Sequence, residues 1–119
     1  MNALPSSRPR RRFRDIADNI DRIIAYTAEL SESDFSADDR TRDAVERCLQ
    51  RISEAATKLG SLAESLLPQH DWLAIRGLGN ILRHDYDRVE TALLWHIVSI
   101  DIPPLRRDPQ RLIQQWPTE

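Results

Sequence analysis

The sequence predicts an all-α protein, an antiparallel helical bundle of four main helices plus a short C-terminal helix. Three observations predict it. Apolar residues recur at three- and four-residue intervals through most of the chain, no stretch alternates polar and apolar residues as a strand would, and there are only 3 glycines. With 119 residues the chain has room for one core and no second domain.

The elements follow in order. Residues 1–12, "MNALPSSRPRRR", combine Pro, Ser and Arg without periodicity and read as a flexible basic arm, either touching phosphates or serving as a solubilising tail. The helical domain spans 13–119. From Phe13, the spacing of Ile16, Ile20, Ile23, Ile24 and Thr27 predicts a first amphipathic helix to about Leu30. "SESDFSADD" ends it, with Ser36 placed to cap the next helix and Asp38 and Asp39 suited to its positive end. A stripe of Ala44, Val45, Cys48, Leu49, Ile52, Ala56, Leu59, Leu62, Ala63 and Leu66 predicts one long helix over 37–66, about 45 Å at 1.5 Å per residue. Pro68 stops it, and Asp71 is placed to cap a third helix from Trp72 to about His84. Val89, Ala92, Leu93, Ile97 and Ile100 mark a fourth that "DIPPL" kinks or breaks. A last turn or two runs from Asp108 to Gln115, with Trp116 near the end.

The charge balance is close to neutral, 17 basic against 19 acidic residues, so bulk electrostatics do not announce a nucleic-acid binder. Lys58 is the single lysine, and the remaining cations are arginines, which grip phosphate bidentately; GC-rich coding bias produces the same enrichment. The lone cysteine, Cys48, sits in a helical stripe, where it reads as a small buried hydrophobe without a disulfide or metal role. The longest apolar run, "ALLWHIVSI", is too short to span a bilayer, so the reading is a cytoplasmic protein with no membrane contact. His70, His84 and His96 have no Glu three residues before them, which removes a carboxylate-bridged metal bundle, and no cofactor motif is present. Trp72, Trp95 and Trp116 read as core or dimer packing in preference to base stacking, and His96 as a structural histidine on an apolar helix.

The chemistry concentrates in "RGLGNILRHDY". On a helix, Arg76, Asn80, Arg83 and His84 stand at i, i+4, i+7 and i+8 and project from one side, and Gly77 and Gly79 signal that something approaches closely. His84 is the natural general acid or base, the arginines suit a phosphate and its transition-state charge, and Asn80 can orient the imidazole or donate to phosphate. This set fits metal-independent RNA cleavage, in which the strand's own 2′-hydroxyl is the nucleophile. One histidine does half the proton work, so a homodimer that brings two such helices together would supply acid and base, the glycines allowing the approach. Tyr86 joins the site only if the helix ends at Asp85, where it could contact RNA or be modified. A satisfied polar network at a helix interface is the structural alternative for the whole stretch.

"RFRDIADNIDRIIAYT", "TRDAVERCLQRISEAATKL", "DWLAIRGLGNILRHDYDRVE" and "LLWHIVSIDIPPL" resemble the HepT-type branch of the HEPN proteins over nearly all of residues 13–105. The resemblance implies a HEPN-like dimeric bundle that acts as an RNase toxin beside an MNT-type nucleotidyltransferase antitoxin. Tyr86 would be the acceptor of AMP groups that silence it. The family signature is an arginine, four to six residues, then His, any residue, and Tyr; here Asn80, Leu82, His84 and Tyr86 match it. Gly79 stands where the commonest pattern has arginine, so the catalytic arginine is carried to Arg76, with seven residues between it and His84, one more than the signature allows, and with Arg83 as the other candidate. Glu54 matches an acidic position common in the family, either holding an arginine or lying on the surface. The competing reading is a binding module that keeps the fold and the nucleotidyltransferase partner without cleavage.

Overall fold

The computed structural model describes residues 8–84 and 91–116, except the side chains of Arg83 and His84. Among them the chain forms helices joined by short turns, without a strand. Seven α-helices are α1 (Pro9–Thr27), α2 (Glu32–Ala37), α3 (Asp39–Leu59), α4 (Ser61–Leu66), α5 (Trp72–His84), α6 (Thr91–His96) and α7 (Arg107–Gln115). None of them is long and apolar enough to cross a membrane.

α1 begins four residues before the expected start because Pro9, at its first turn, has φ already set for a helix and no N–H to leave orphaned. Arg10, Arg11 and Arg12 therefore belong to α1 rather than to an unstructured arm, and residues 1–7 lie outside the described residues. Phe13, Ile16, Ile20 and Ile23 form its fully buried stripe. The following "SESDFSADD" is itself a helix. Ser31 accepts from Asp34 N at 3.0 Å while the Asp34 carboxylate accepts from Ser31 N at 3.2 Å, a capping box that fixes α2 and buries Phe35. Ser36 is thus no cap: Asp38 starts α3 by accepting from Thr41 N at 3.1 Å. The Thr41 hydroxyl and N–H hold the Asp38 carboxyl below the usual carboxylate range.

The single helix expected over 37–66 is two. Gly60 has φ 59°, in the left-handed region that favours glycine, and this break separates α3 from α4. The apolar stripe nevertheless continues, since Leu59 and Ala63 on either side are both buried. α5 starts as expected, with Asp71 accepting from Ala74 N at 3.0 Å. After α6 the chain widens into a π segment, Ile97–Asp101, closed by Ile102 N donating to Ile97 O at 2.9 Å, and then tightens into a 3-10 turn at Pro103–Leu105. The two prolines bring no N–H to an α-ladder, which is why the fourth helix ends there.

α3 is the central element, packed on α1 on one side and on α5 on another, while α7 lies against α1 and α2 against α6. All three tryptophans serve packing: Trp72 is buried and donates to Leu67 O at 2.8 Å, Trp95 meets Phe35 at 5.2 Å and Trp116 meets Phe13 at 6.3 Å between ring centroids. Cys48 is a buried free thiol, raised above its ordinary pKa by desolvation. α7 is clamped by a polar knot in which Asp108, nearly buried, accepts from the amide Nε2 of Gln69 at 2.7 Å and from Arg111 at 2.6 Å, and bonds His70 Nε2 at 2.7 Å. The His70 hydrogen bond, aided by Gln69 and Arg111, holds the Asp108 carboxyl below its ordinary range. His96 differs from expectation: its side chain is exposed and lies 3.7 Å from Asp101.

Candidate active site

α5 carries the residues on which the chemistry was expected, and its two flanks have different work. The inner flank is fastened to α3 and α4 through backbone groups. Ser53, buried on α3, donates its hydroxyl to Arg76 O at 2.8 Å and accepts from Gly79 N at 2.9 Å, so one side chain grips two points of α5. Arg76 reaches back the other way. Its Nε donates to Ala56 O at 3.2 Å, a carbonyl of the last turn of α3, and its Nη2 to Gly60 O at 2.7 Å, which also accepts from Ala63 N at 3.2 Å where α4 begins. The same guanidinium holds Glu64 of α4 bidentately, at 2.8 and 2.6 Å. That pairing lowers the Glu64 carboxyl and raises the Arg76 guanidinium relative to their ordinary values.

The outer flank of α5 is uncovered. Leu73 is 78 % exposed and Ile81 43 % exposed, and Asn80 is exposed between them. Gly77 lies on the same flank, with nothing within 4 Å of the position a Cβ would take. The two glycines therefore serve different neighbours: Gly79 is buried against Ser53, and Gly77 faces open space. His84 ends the helix one turn after Asn80, so its backbone lies on the flank of Gly77 and Asn80.

Of the expected site residues, the structure thus brings Asn80 and the backbone of His84 to one exposed face and directs the Arg76 guanidinium to the α3–α4 junction. Arg83 stands in the last turn of α5. The side chains of Arg83 and His84, and all of Tyr86, lie outside the described residues. Glu54 is exposed on α3 and pairs with Lys58 at 3.1 Å, and among the described residues no arginine pairs with it. Ser53 and Glu64 were not singled out in the sequence. A serine next to Ile52 in an otherwise apolar and small-residue stripe was the one available sign of the first, and nothing local marks the second.

Similarity to known proteins assigns the chain to a ribonuclease family. The family model described as "Ribonuclease HepT-like" matches residues 16–112, and this chain belongs to that family. Among curated proteins it is 34% identical over 98 residues to the "Probable ribonuclease HepT" of Thermococcus cleftensis, covering 82% of this chain and 89% of that one. It is 31% identical over 94 residues to the "Putative RNase MJ1380" of Methanocaldococcus jannaschii, covering 79% of this chain and 86% of that one. No solved structure matches the chain with significance.

Proposed function

We propose that this chain is a HepT-type toxin: a metal-independent endoribonuclease of the cytoplasm whose site is completed in a homodimer. An MNT-type nucleotidyltransferase antitoxin neutralises it by transferring AMP to Tyr86. The observation that carries the reading is the uncovered flank of α5, where exposed Leu73 and Ile81 border Asn80 and the open Gly77. An apolar border around a polar centre, with a glycine that lets a second backbone come close, suits a two-fold contact between α5 helices.

In this reading RNA is the substrate. His84 of one protomer takes the proton from a ribose 2′-hydroxyl as its oxygen attacks the adjacent phosphorus. His84 of the partner protonates the departing 5′-oxygen, leaving a 2′,3′-cyclic phosphate and a 5′-hydroxyl. Asn80 orients the imidazole, and Arg83 and Tyr86 contact the strand. Arg76 stabilises the phosphate's developing charge by exchanging Glu64 for it, while Glu54, paired with Lys58 on the other flank of α3, stays outside this set. Silencing places AMP from a nucleoside triphosphate on the Tyr86 oxygen as pyrophosphate leaves, adding negative charge beside the site.

The engagement of Arg76 by Ala56 O, Gly60 O and Glu64 favours a second reading, a HEPN-like binding module that pairs with a nucleotidyltransferase and does not cleave. The two are separated by incubating total cellular RNA with purified protein in EDTA, wild type beside His84→Ala, with intact mass showing Tyr86 unmodified. Cleavage that disappears in His84→Ala is the expected result. An unmodified wild type that leaves RNA intact overturns the enzyme and leaves the binding module. Sedimentation of Leu73→Asp tests the interface: a monomer with an unchanged helical spectrum is expected, and an undisturbed dimer places the contact elsewhere.

A further inference from the structure

The flank of α3 opposite α5 forms, with α1, a groove of about 270 Å³. Ser53 and Gly60 turn toward α5, whereas Arg51, Glu54 and Lys58 stand roughly half a turn away and line the groove. Two ion pairs within its walls are self-contained: Arg12 with Asp15 at 3.6 Å, and Lys58 with Glu54 at 3.1 Å. Asp18 also lines it and forms no ion pair within 4.0 Å among the described residues. Arg22 and Arg51 remain. Both line the groove, and among the described residues no hydrogen bond or ion pair engages either. Two guanidinium groups that share a concavity without a bound carboxylate repel each other, and an oxyanion between them removes the repulsion.

Asn19 is an independent sign of a ligand. It is 6% exposed and lines the same groove; its Nδ2 donates to Asp15 O at 2.8 Å, but its Oδ1 is buried without a donor. Arg12 Nε, in the same wall, is likewise buried without an acceptor. Buried polar atoms are almost always satisfied, so two unmet ones in one concavity point to a group that supplies both a donor and an acceptor.

We propose that the α1–α3 groove seats the sugar-phosphate backbone of single-stranded RNA, with Arg22 and Arg51 holding one phosphate between them and Asn19 Oδ1 accepting from a ribose 2′-hydroxyl. The assignment rests on the ribonuclease reading and adds to it a binding site away from α5. An acidic peptide segment offers carboxylates to the two arginines but no sugar hydroxyl to Asn19, which is why the strand is the better occupant.

The test is fluorescence anisotropy of a 5′-labelled single-stranded RNA with the full chain carrying His84→Ala, so that the strand stays uncut, across a series of KCl concentrations. Adding Arg22→Gln and Arg51→Gln, both exposed and dispensable to the core, lowers the slope of log affinity against log salt by about 0.7, because one phosphate is no longer neutralised. A charge-matched control, Arg14→Gln with Arg107→Gln, keeps the slope, and a DNA strand of the same sequence binds more weakly than RNA. An unchanged slope in the groove variant, or an equal fall in the control, overturns the groove and leaves the ribonuclease reading standing. DNA bound as tightly as RNA removes Asn19 from the site. No RNA binding by the His84→Ala chain overturns both readings. Polyglutamate bound through Arg22 and Arg51 while RNA binding is indifferent to them gives the groove to an acidic protein segment instead.

Discussion

Replacing Arg76 by alanine separates an anchor from a catalyst. The guanidinium donates to Ala56 O at 3.2 Å and to Gly60 O at 2.7 Å, tying the end of α3 to α5. Hydrogen bonds from a charged donor contribute on the order of 1.5–3 kcal/mol each, and partial exposure of the side chain puts these two at the low end, about 2–4 kcal/mol together. With an unfolding entropy of about 2.1 cal/mol/K per residue, a chain of 119 residues loses roughly 4 °C of Tm per kcal/mol, so Arg76→Ala is expected to unfold about 8–16 °C earlier. The Glu64 ion pair is half exposed on its carboxylate side and adds little to this in water.

Thermal unfolding followed by circular dichroism, at one fixed protomer concentration because association shifts Tm, makes the measurement. Glu64→Gln is the companion variant. It keeps both carbonyl contacts, so its Tm falls by clearly less than that of Arg76→Ala, and its own deficit against wild type narrows in high salt. A Tm for Arg76→Ala within a degree or two of wild type would refute the anchoring argument. If RNA cleavage were nevertheless abolished in that stable variant, Arg76 would belong to the chemistry instead.

The backbone and the polar knot set three further outcomes. Gly60→Ala places a Cβ at φ 59°, which costs about 1 kcal/mol or more, and is read as a lower urea midpoint with an unchanged m-value. Gly77→Ala meets nothing within 4 Å and gains up to about 1 kcal/mol of helix propensity, so the isolated protomer melts later, while association through α5 weakens in sedimentation. Asp108 has a folded-state pKa lowered by His70, Gln69 and Arg111. Its contribution is therefore complete above the unfolded carboxyl's value of about 3.9 and is lost as pH falls from there through the lowered folded value. Denaturant titrations from pH 5 downward should show wild type converging on Asp108→Asn, and a gap that stays constant would contradict the assignment.

The sequence made legible what repeats at the helical period. The stripes of α1 and α3, the start of α5 at Asp71, the burial of Cys48 and the packing roles of the tryptophans all follow from residues that alternate faces every three or four positions. Short or conformational events escaped it. α2 has six residues and one buried side chain, Phe35, too few to make a period, and its capping box at Ser31 and Asp34 looks in the sequence like one more polar loop. The break at Gly60 is hidden because Leu59 and Ala63 keep the stripe going across it. On α5 the spacing rule treated Arg76 as a neighbour of Asn80 and His84, but a long side chain goes where its partners are. Three acceptors at the end of α3 and on α4 take it inward, and they come from residues 56 to 64, which no local pattern links to it.

The inward turn of Arg76 also explains how α5 can expose so much of itself. A helix in a small bundle is ordinarily held by an apolar stripe, and Trp72 and Leu82 supply only its two ends with fully buried side chains. Between them Ile75 and Leu78 are only partly buried against the core, and from Arg76 to Gly79 a polar hold is added: Ser53 grips the backbone of α5, and Arg76 grips the backbone of α3. Because these contacts use main-chain groups on one flank, they place no demand on the side chains of the other. The outer positions are thereby released from packing and can be Gly77, Asn80 and Ile81, a combination that a helix held by its side chains alone would have to fill with core residues. On the ribonuclease reading, the anchoring of α5 by Ser53 and Arg76 is thus a condition for presenting Asn80 and His84 to a second copy in a fixed register. Loosening it at Ser53, which is buried and bonds only the backbone of α5, should reduce cleavage although that side chain does not touch RNA.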